Sequence, residues 1–393
     1  MVHPPVRTTT RALAGIVATL RRHRYDEAGC ARRLSIPAMR HAVGRVVADE
    51  GRGESLLRAA DPLGILVALF LFNRAVPRRL AARVFDAGEL RALEAMALVR
   101  VDATDVTSPV AVFPCGDLLI VTDALGNHGV AGKVMPLCAE SYDLAALIRG
   151  RDVGRALDLC TGSGVHALLA SRHCRDVVGI DISPRAIAFA EFNAWFNRIS
   201  RVAFRRGDLY GPVESAPGFD LITANPPYNP ELDSPAGQDY HSGGESGEEV
   251  LSRIIEGAPR FLGEGGSCHV ITLLVLREGD TVRRKLRRWM GPMASRFDVQ
   301  VLSRPVEYRP AVLEGAAGLS PGAWALHASW KRQKICGFAF GVVSLRRPPG
   351  GRRPRKVERR LGDARRSPGR VRAATASGLV EELPSGRGRG SPP

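Results

Sequence analysis

The chain has 393 residues, 45% of them hydrophobic and 24% charged, enough apolar material for two domains with a sizeable core and too much for a wholly disordered chain. Its formal charge is +16, but fourteen Arg and Lys against four acids lie from Gly341 onward, leaving only +6 on the first 340 residues. Seven scattered cysteines with no CxxC pair argue against a zinc framework and for a reduced, cytoplasmic protein, and the longest apolar block, Pro62 to Phe72, falls short of the roughly 20 residues that cross a bilayer.

Residues 8 to about 100 read as short helices: TTRALAGIVATLRRH, YDEAGCARRL, the apolar block around Leu66, VPRRLAARVF and GELRALEAMALV, with turn or capping residues between them. The apolar stretch Ala12–Leu20 is followed by RRHRYDEAG rather than by small residues suited to signal cleavage. LVRVDA, VAVFPCG and DLLIVTD then alternate as strands, with Gly116-Asp117 as a turn. Helices followed by a small hairpin sketch a winged-helix-like module over residues 8–148. It carries no basic helix of the kind that reads a groove, which suits a substrate lid better than a DNA reader.

From about residue 150 strands and helices alternate. RALDLC, GVHALLASRHC and DVVGIDI come first, then SPRAIAFAEFNAWFN with Ser183 as N-cap and Pro184 in the first turn. VAFRRGD, FDLITA, the helix EEVLSRIIEGAPRFL, a GEGG turn, SCHVITLLVL, FDVQVLSRPVEY and GFAFGVVSL complete the folded part. This is the α/β order of a doubly wound, mostly parallel sheet over residues 149–346. Residues 347–393 are rich in Arg, Gly, Pro and Ser, so this basic tail is expected to be disordered. Its charge suits contact with RNA, DNA or the ribosome through phosphates, or simply with solvent.

ALDLCTGSG carries Asp158 inside the first strand and Gly162 and Gly164 at the turn into a helix, where glycine permits positive φ and close approach of a ligand. The run from Gly162 to Ala167 also satisfies the G-x-G-x-x-A dinucleotide fingerprint. Asp181, ending the next strand, suits both ribose hydroxyls of NAD or of S-adenosylmethionine. Asp158 distinguishes the two, because a carboxylate there attracts a positively charged methionine end and repels a pyrophosphate. Asp208, at the end of the third strand, is positioned to accept from an adenine amino group.

In FDLITANPPYNPEL an apolar strand runs into the polar tip Asn225-Pro226-Pro227-Tyr228. DLCTGSG, GIDIS, GDLY and NPPY, in that order and at these spacings, resemble the class I S-adenosylmethionine-dependent methyltransferases. More narrowly they are similar to the small-domain N-methyltransferases acting on release-factor glutamine, ribosomal-RNA guanine and adenine N6. The likeness runs on through SGGESGEEVLSRIIEGAPRFLGEGG and covers about residues 150 to 346. Residues 8–148 resemble a helical N-terminal domain joined to this catalytic domain in some high-GC bacterial proteins. The resemblance implies a seven-stranded Rossmann-like methyltransferase sheet and S-adenosyl-L-methionine as cofactor, with no metal. It assigns cofactor binding to Asp158, Thr161, Gly162, Gly164, Asp181, Ile182, Asp208, Leu209 and Asn225, and the acceptor site to Asn225, Pro226, Pro227 and Tyr228.

The family's chemistry accounts for the strand tip. An amide or exocyclic amino nitrogen is a poor nucleophile because its lone pair is delocalised. The Asn225 side-chain carbonyl and the Pro226 backbone carbonyl can accept its two N–H bonds and aim the lone pair at a methyl group, while the prolines, lacking donors, hold those carbonyls without competing for them. Tyr228 is suited to lie flat on the planar acceptor. Tyr240 and His241, in the polar loop 229–246, are placed to touch substrate. The expected acceptor is a planar amino group of a protein glutamine or a nucleic-acid base, with a small molecule of secondary metabolism as the alternative. Two rivals from other classes are an NAD-dependent oxidoreductase, which leaves Asn225 to Tyr228 without a role, and a non-catalytic nucleic-acid-binding protein using the tail and the winged-helix-like module.

Overall fold

The structure, a computed structural model, describes residues 3–42, 49–126, 130, 132–148, 153–230, 242–306 and 321–350. Most of the basic tail, residues 351–393, and the loop residues Tyr240 and His241 lie outside the described residues. Among the described residues no helix is long and apolar enough to cross a membrane.

The N-terminal part begins with helices α1 (Thr10–Arg22), α2 (Glu27–Arg33), α3 (Glu50–Ala59) and α4 (Pro62–Phe70). Each starts on a side chain that accepts a backbone N–H of its first turn: Thr9, Asp26, Asp49 and Asp61. The apolar block singled out in the sequence is α4, buried from Gly64 to Phe70. Strand β1 (Val76–Pro77), helices α5 (Arg78–Ala81) and α6 (Ala87–Ala95), and strands β2 (Arg100–Val101) and β3 (Asp105–Thr107) follow. They form an antiparallel three-stranded sheet in the order β1-β3-β2. Helix, strand, two helices and a hairpin that pairs back to the first strand is a winged-helix-like topology. Its wing is β2–β3, two and three residues long, rather than the two longer strands the sequence makes conspicuous.

Those longer strands, β4 (Val110–Cys115) and β5 (Leu118–Asp123), make a separate ribbon that is buried at every position. A buried two-stranded ribbon has two open edges whose backbone groups need partners, and here side chains supply them. On the β4 edge the Tyr25 hydroxyl donates to the Val112 carbonyl at 2.7 Å, the Asn73 amide to Val110 at 2.7 Å and the Tyr142 hydroxyl to Pro114 at 2.8 Å. On the β5 edge two asparagines one helical turn apart act as a surrogate strand. Asn193 accepts from the Val121 N–H and donates to the Val121 carbonyl, both at 2.8 Å, and Asn197 does the same for Leu119 at 2.9 and 2.8 Å.

Helix α7 (Ala139–Ile148) leads into the second part, which alternates β6 (Val153–Leu159), α8 (Val165–Ala170), β7 (Cys174–Asp181), α9 (Pro184–Phe196), β8 (Val202–Arg206), β9 (Phe219–Ala224), α10 (Glu249–Phe261), β10 (Leu262–Arg277), α11 (Val282–Met290), β11 (Asp298–Val306) and, after the helix Pro321–Arg332, β12 (Ile335–Arg346). The seven strands form one sheet in the order β11-β12-β10-β9-β6-β7-β8. The run β10-β9-β6-β7-β8 is parallel and β12 is antiparallel to both its neighbours, the doubly wound, mostly parallel Rossmann-like sheet expected. One difference is local: GEGG lies inside the start of β10, where the register against β9 shifts between Leu262 and Ser267.

Residue 148 divides the sequence segments, but one apolar cluster spans the division. Ile16, Phe70, Phe113 and Ile120 from the first part share it with Leu168, Phe189, Phe192 and Phe196 from α8 and α9. Asn193 has no exposed surface and also donates to the Ser163 carbonyl at 2.9 Å, inside the glycine turn. Replacing it with Ala strands the buried N–H and carbonyl of Val121. The Asn193→Ala protein is expected to lose about 2–4 kcal/mol of stability by chemical unfolding, against less than about 1 kcal/mol for an exposed position such as Glu191 on the same helix.

Candidate active site

The carboxyl ends of parallel strands are where open α/β sheets bind ligands, and the order reverses between β6 and β9. The sequence motifs gather there: the turn Thr161–Gly164 after β6, Asp181 ending β7, Asp208 just after β8 and Asn225 just after β9.

Gly162 has φ of +53° and Gly164 +81°. They serve different purposes. A Cβ added at Gly164 would lie 3.0 Å from Ala190 and from the Phe204 ring, so helix packing demands its absence. A Cβ on Gly162 would meet nothing within 4 Å, leaving free space over the turn. Asp181 braces the turn from β7: Oδ2 accepts the Gly162 N–H and Oδ1 the Ser183 N–H, each at 2.9 Å. Burial raises its carboxyl above the ordinary range despite these donors. Next to it Ile182 leaves 65% of its surface uncovered, a rarity for a large apolar side chain among the described residues.

Asp158 departs from the sequence expectation. A carboxylate reaching a charged ligand needs an open oxygen, yet Asp158 is 1% exposed and turned into the protein. Its Oδ2 accepts the Thr161 hydroxyl at 2.6 Å and the Ala167 N–H at 3.3 Å, and its Oδ1 accepts the Thr223 hydroxyl at 2.7 Å. Burial pushes its carboxyl up, opposed by nearby His166 and by these three donors. These contacts make Asp158 an internal brace between the turn, α8 and β9. Asp208 is open but engaged: Arg253, from α10, lies 2.5 Å from it, and both side chains are about half exposed, at 52% and 54%. Leu209, at φ +44°, is buried beside it.

At the tip of β9, Asn225 is half-buried, and among the described residues its side-chain amide makes no hydrogen bond. Pro226, the next residue, is buried. The Tyr228 ring meets Phe340 edge-on, with centroids 6.0 Å apart and planes at 66°. Burial, with Glu140 and Cys138 nearby, raises its hydroxyl well above the ordinary range, so it stays protonated. Beyond the tip the chain is drawn back by the Gly243 N–H, which donates to the Asn229 carbonyl at 2.9 Å, and the Glu249 N–H returns to the Gly243 carbonyl at 3.0 Å. Gly243 is thereby tied both to Asn229 and to the start of α10.

Sequence reading missed Thr223, Glu140, Cys138 and Arg253. Thr223 carried a faint signal, a lone hydroxyl in an apolar strand end on the face shared with Leu221. The other three come from elements remote in sequence and had none. Among the described residues no group of three or more His, Cys, Asp or Glu could hold a metal ion.

Residues 141–294 match the methyltransferase small domain. The chain is 37% identical over 123 residues to a release factor glutamine methyltransferase of Thermodesulfovibrio yellowstonii, covering 28% of this chain and 44% of that one. It is 34% identical over 148 residues to a ribosomal protein uL3 glutamine methyltransferase of Xanthomonas campestris, covering 35% and 46%. It thus spans a little under half the length of these two relatives. A provisionally named protein N5-glutamine methyltransferase of Methanocaldococcus jannaschii is 30% identical over 142 residues, 35% of this chain and 69% of its own. With more than two thirds of that relative matched along its length, and a sheet of the fitting order, this chain belongs to the methyltransferase small domain family.

Proposed function

We propose that the protein is an S-adenosylmethionine-dependent N-methyltransferase whose acceptor is the side-chain amide of a glutamine in a protein. The observation that carries this reading is the half-buried Asn225 amide, engaged by no described residue, at the tip of the strand next to the one that leads into an open glycine turn. The glutamine-modifying names of the relatives favour an amide over a nucleic-acid base.

The residues present fit the cofactor. Space over Gly162, the Asp181 carboxylate and the uncovered Ile182 provide a surface for a glycine-turn backbone contact, a ribose diol and an adenine face. Asp208 and the backbone at Leu209 would complete the adenine end. Thr161 and Asp158 would hold the turn rather than touch the ligand. When bound, S-adenosylmethionine supplies an electrophilic methyl group on a positively charged sulfur.

The chain's own part is placement. The Asn225 side-chain carbonyl and the Pro226 backbone carbonyl accept the two amide protons, orienting the nitrogen lone pair. Pro226 and Pro227 offer no N–H to compete. Tyr228, held by Phe340 and kept protonated, forms a wall for the planar amide. No strong base is required, because the nitrogen loses its proton as or after it is alkylated, and the gain comes from orientation. In this reading the divisions 8–148 and 149–346 remain useful, the first segment bracing α9 and the glycine turn and the second carrying the chemistry.

Titration calorimetry with S-adenosylmethionine, followed by transfer of labelled methyl to unmethylated release factor, ribosomal protein uL3 and the RNA fraction of host lysate, tests the reading. Label confined to RNA would refute the glutamine assignment. Asp181→Ala is expected to weaken cofactor binding by about 1.5–3 kcal/mol, roughly ten- to a hundredfold; unchanged calorimetric affinity would count against its role. Asn225→Ala is expected to bind S-adenosylmethionine within about threefold of the parent and to lose methyl transfer by about a hundredfold or more, and a variant with near-parental turnover would remove the acceptor site from this position.

A further inference from the structure

Asp158, Thr223, His269 and Ser344 stand in one row across four neighbouring strands, each paired in register with the next. Thr223 is 2% exposed and its hydroxyl has a single proton, which goes to Asp158 Oδ1 at 2.7 Å. Thr161, 3% exposed, gives its proton to Oδ2 of the same carboxylate at 2.6 Å. At the other end of the row the His269 Nδ1 lies 2.9 Å from the Ser344 hydroxyl.

The two threonines belong to different parts of the site. Thr161 immediately precedes Gly162 in the open turn. Thr223 lies two residues before Asn225, and in an extended strand residues two apart share a face. Backbone pairing between β6 and β9 ends at Leu159 and Ala224. Beyond that rung the glycine turn and the Asn225 tip diverge with no ladder between them. One rung beneath that last pairing the buried Asp158 side chain ties the two segments through side chains, accepting from Thr161 of the turn and from Thr223 of the strand that carries the tip. A valine would fill the same volume and suit the strand equally well, so packing alone does not account for a hydroxyl here.

Resting on the function proposed above, we infer that Thr223 is a positioning residue: through Asp158 it sets the height of the acceptor tip relative to the turn on which the methyl donor lies. In-line transfer between two held partners is steeply sensitive to their separation, a misplacement of about 1 Å costing on the order of a hundredfold. Donor affinity depends on the turn and on Asp181, neither of which Thr223 touches.

The test compares Thr223→Val with Thr223→Ser in the full chain, measuring S-adenosylmethionine affinity by calorimetry and single-turnover methyl transfer to whichever protein the wild type labels. Thr223→Val is expected to keep donor affinity within about threefold while transfer slows roughly ten- to a hundredfold, and Thr223→Ser, which restores the donor, to recover most of the rate. Should the valine protein fail to fold, Thr223→Cys, with a weak S–H donor of similar volume, must give a rate between wild type and Asn225→Ala at unchanged affinity. Parental transfer in the valine or cysteine variant overturns the inference, as does parallel loss of affinity and rate, which would place Thr223 in donor binding alone. A wild-type protein that binds no S-adenosylmethionine would instead overturn the functional reading and this inference together. An active wild type with an equally active valine variant overturns only the latter.

Discussion

A carboxylate removed from water is tolerated only when donors surround it, and the catalytic half of this protein is arranged around one such group. Asp158 sits on β6, the strand at which the sheet order reverses, and collects donors from the glycine turn, from the first turn of α8 and from β9. Burial raises its carboxyl, and the neighbouring hydroxyls and amide oppose that tendency by donating to it. The cost of burying it is offset only if all three segments are in place together. The consequence is rigidity at one end of the sheet: the turn facing the open space and the strand carrying Asn225 share an anchor.

The N-terminal part is bound to this arrangement rather than appended to it. Its ribbon is buried on both faces, and the edge of β5 is met by amides of α9 instead of by another strand. Asn193 completes the connection by donating to the Ser163 carbonyl between the two glycines. Asp123, fully buried at the end of β5, is paired with Arg185 in the first turn of α9, two residues from Ser183. Asp123–Arg185 thus ties the first part of the chain directly to the start of α9, and the relay Val121–Asn193–Ser163 carries a second tie to the glycine turn. A lid that merely covers a site would not need them.

Much of this was legible in the sequence because local physics decides it. The cap at Ser183, the glycines needing positive φ, the alternation of strand and helix, and the polar strand tip are all set by nearest neighbours. The direction of Asp158 was not legible, because a strand-end acid looks the same whether it faces a ligand or two threonines from elsewhere. Nor was the duty of Asn193 and Asn197. Their spacing of four places them on one helical face, but only the arrival of β5 makes that face a strand edge. Of the wing, β2 falls within LVRVDA, but β3 escaped because a strand of three residues is too short to show a period. The GEGG segment misled for the opposite reason, since glycines that signal a turn were accommodated within an irregular strand start.

The surrogate edge also dictates an order of events during synthesis. Val121 and Asn193 are 72 residues apart, so at about 5–20 residues per second the ribosome exposes β5 for roughly 4–14 s before its partner exists. Through that interval a strand of LLIVTD stands with one unsatisfied edge, the geometry that invites pairing with another chain. Nascent copies translated from one message would be vulnerable to each other there, which makes the amides of α9 guardians against misassembly as much as supports of the mature fold.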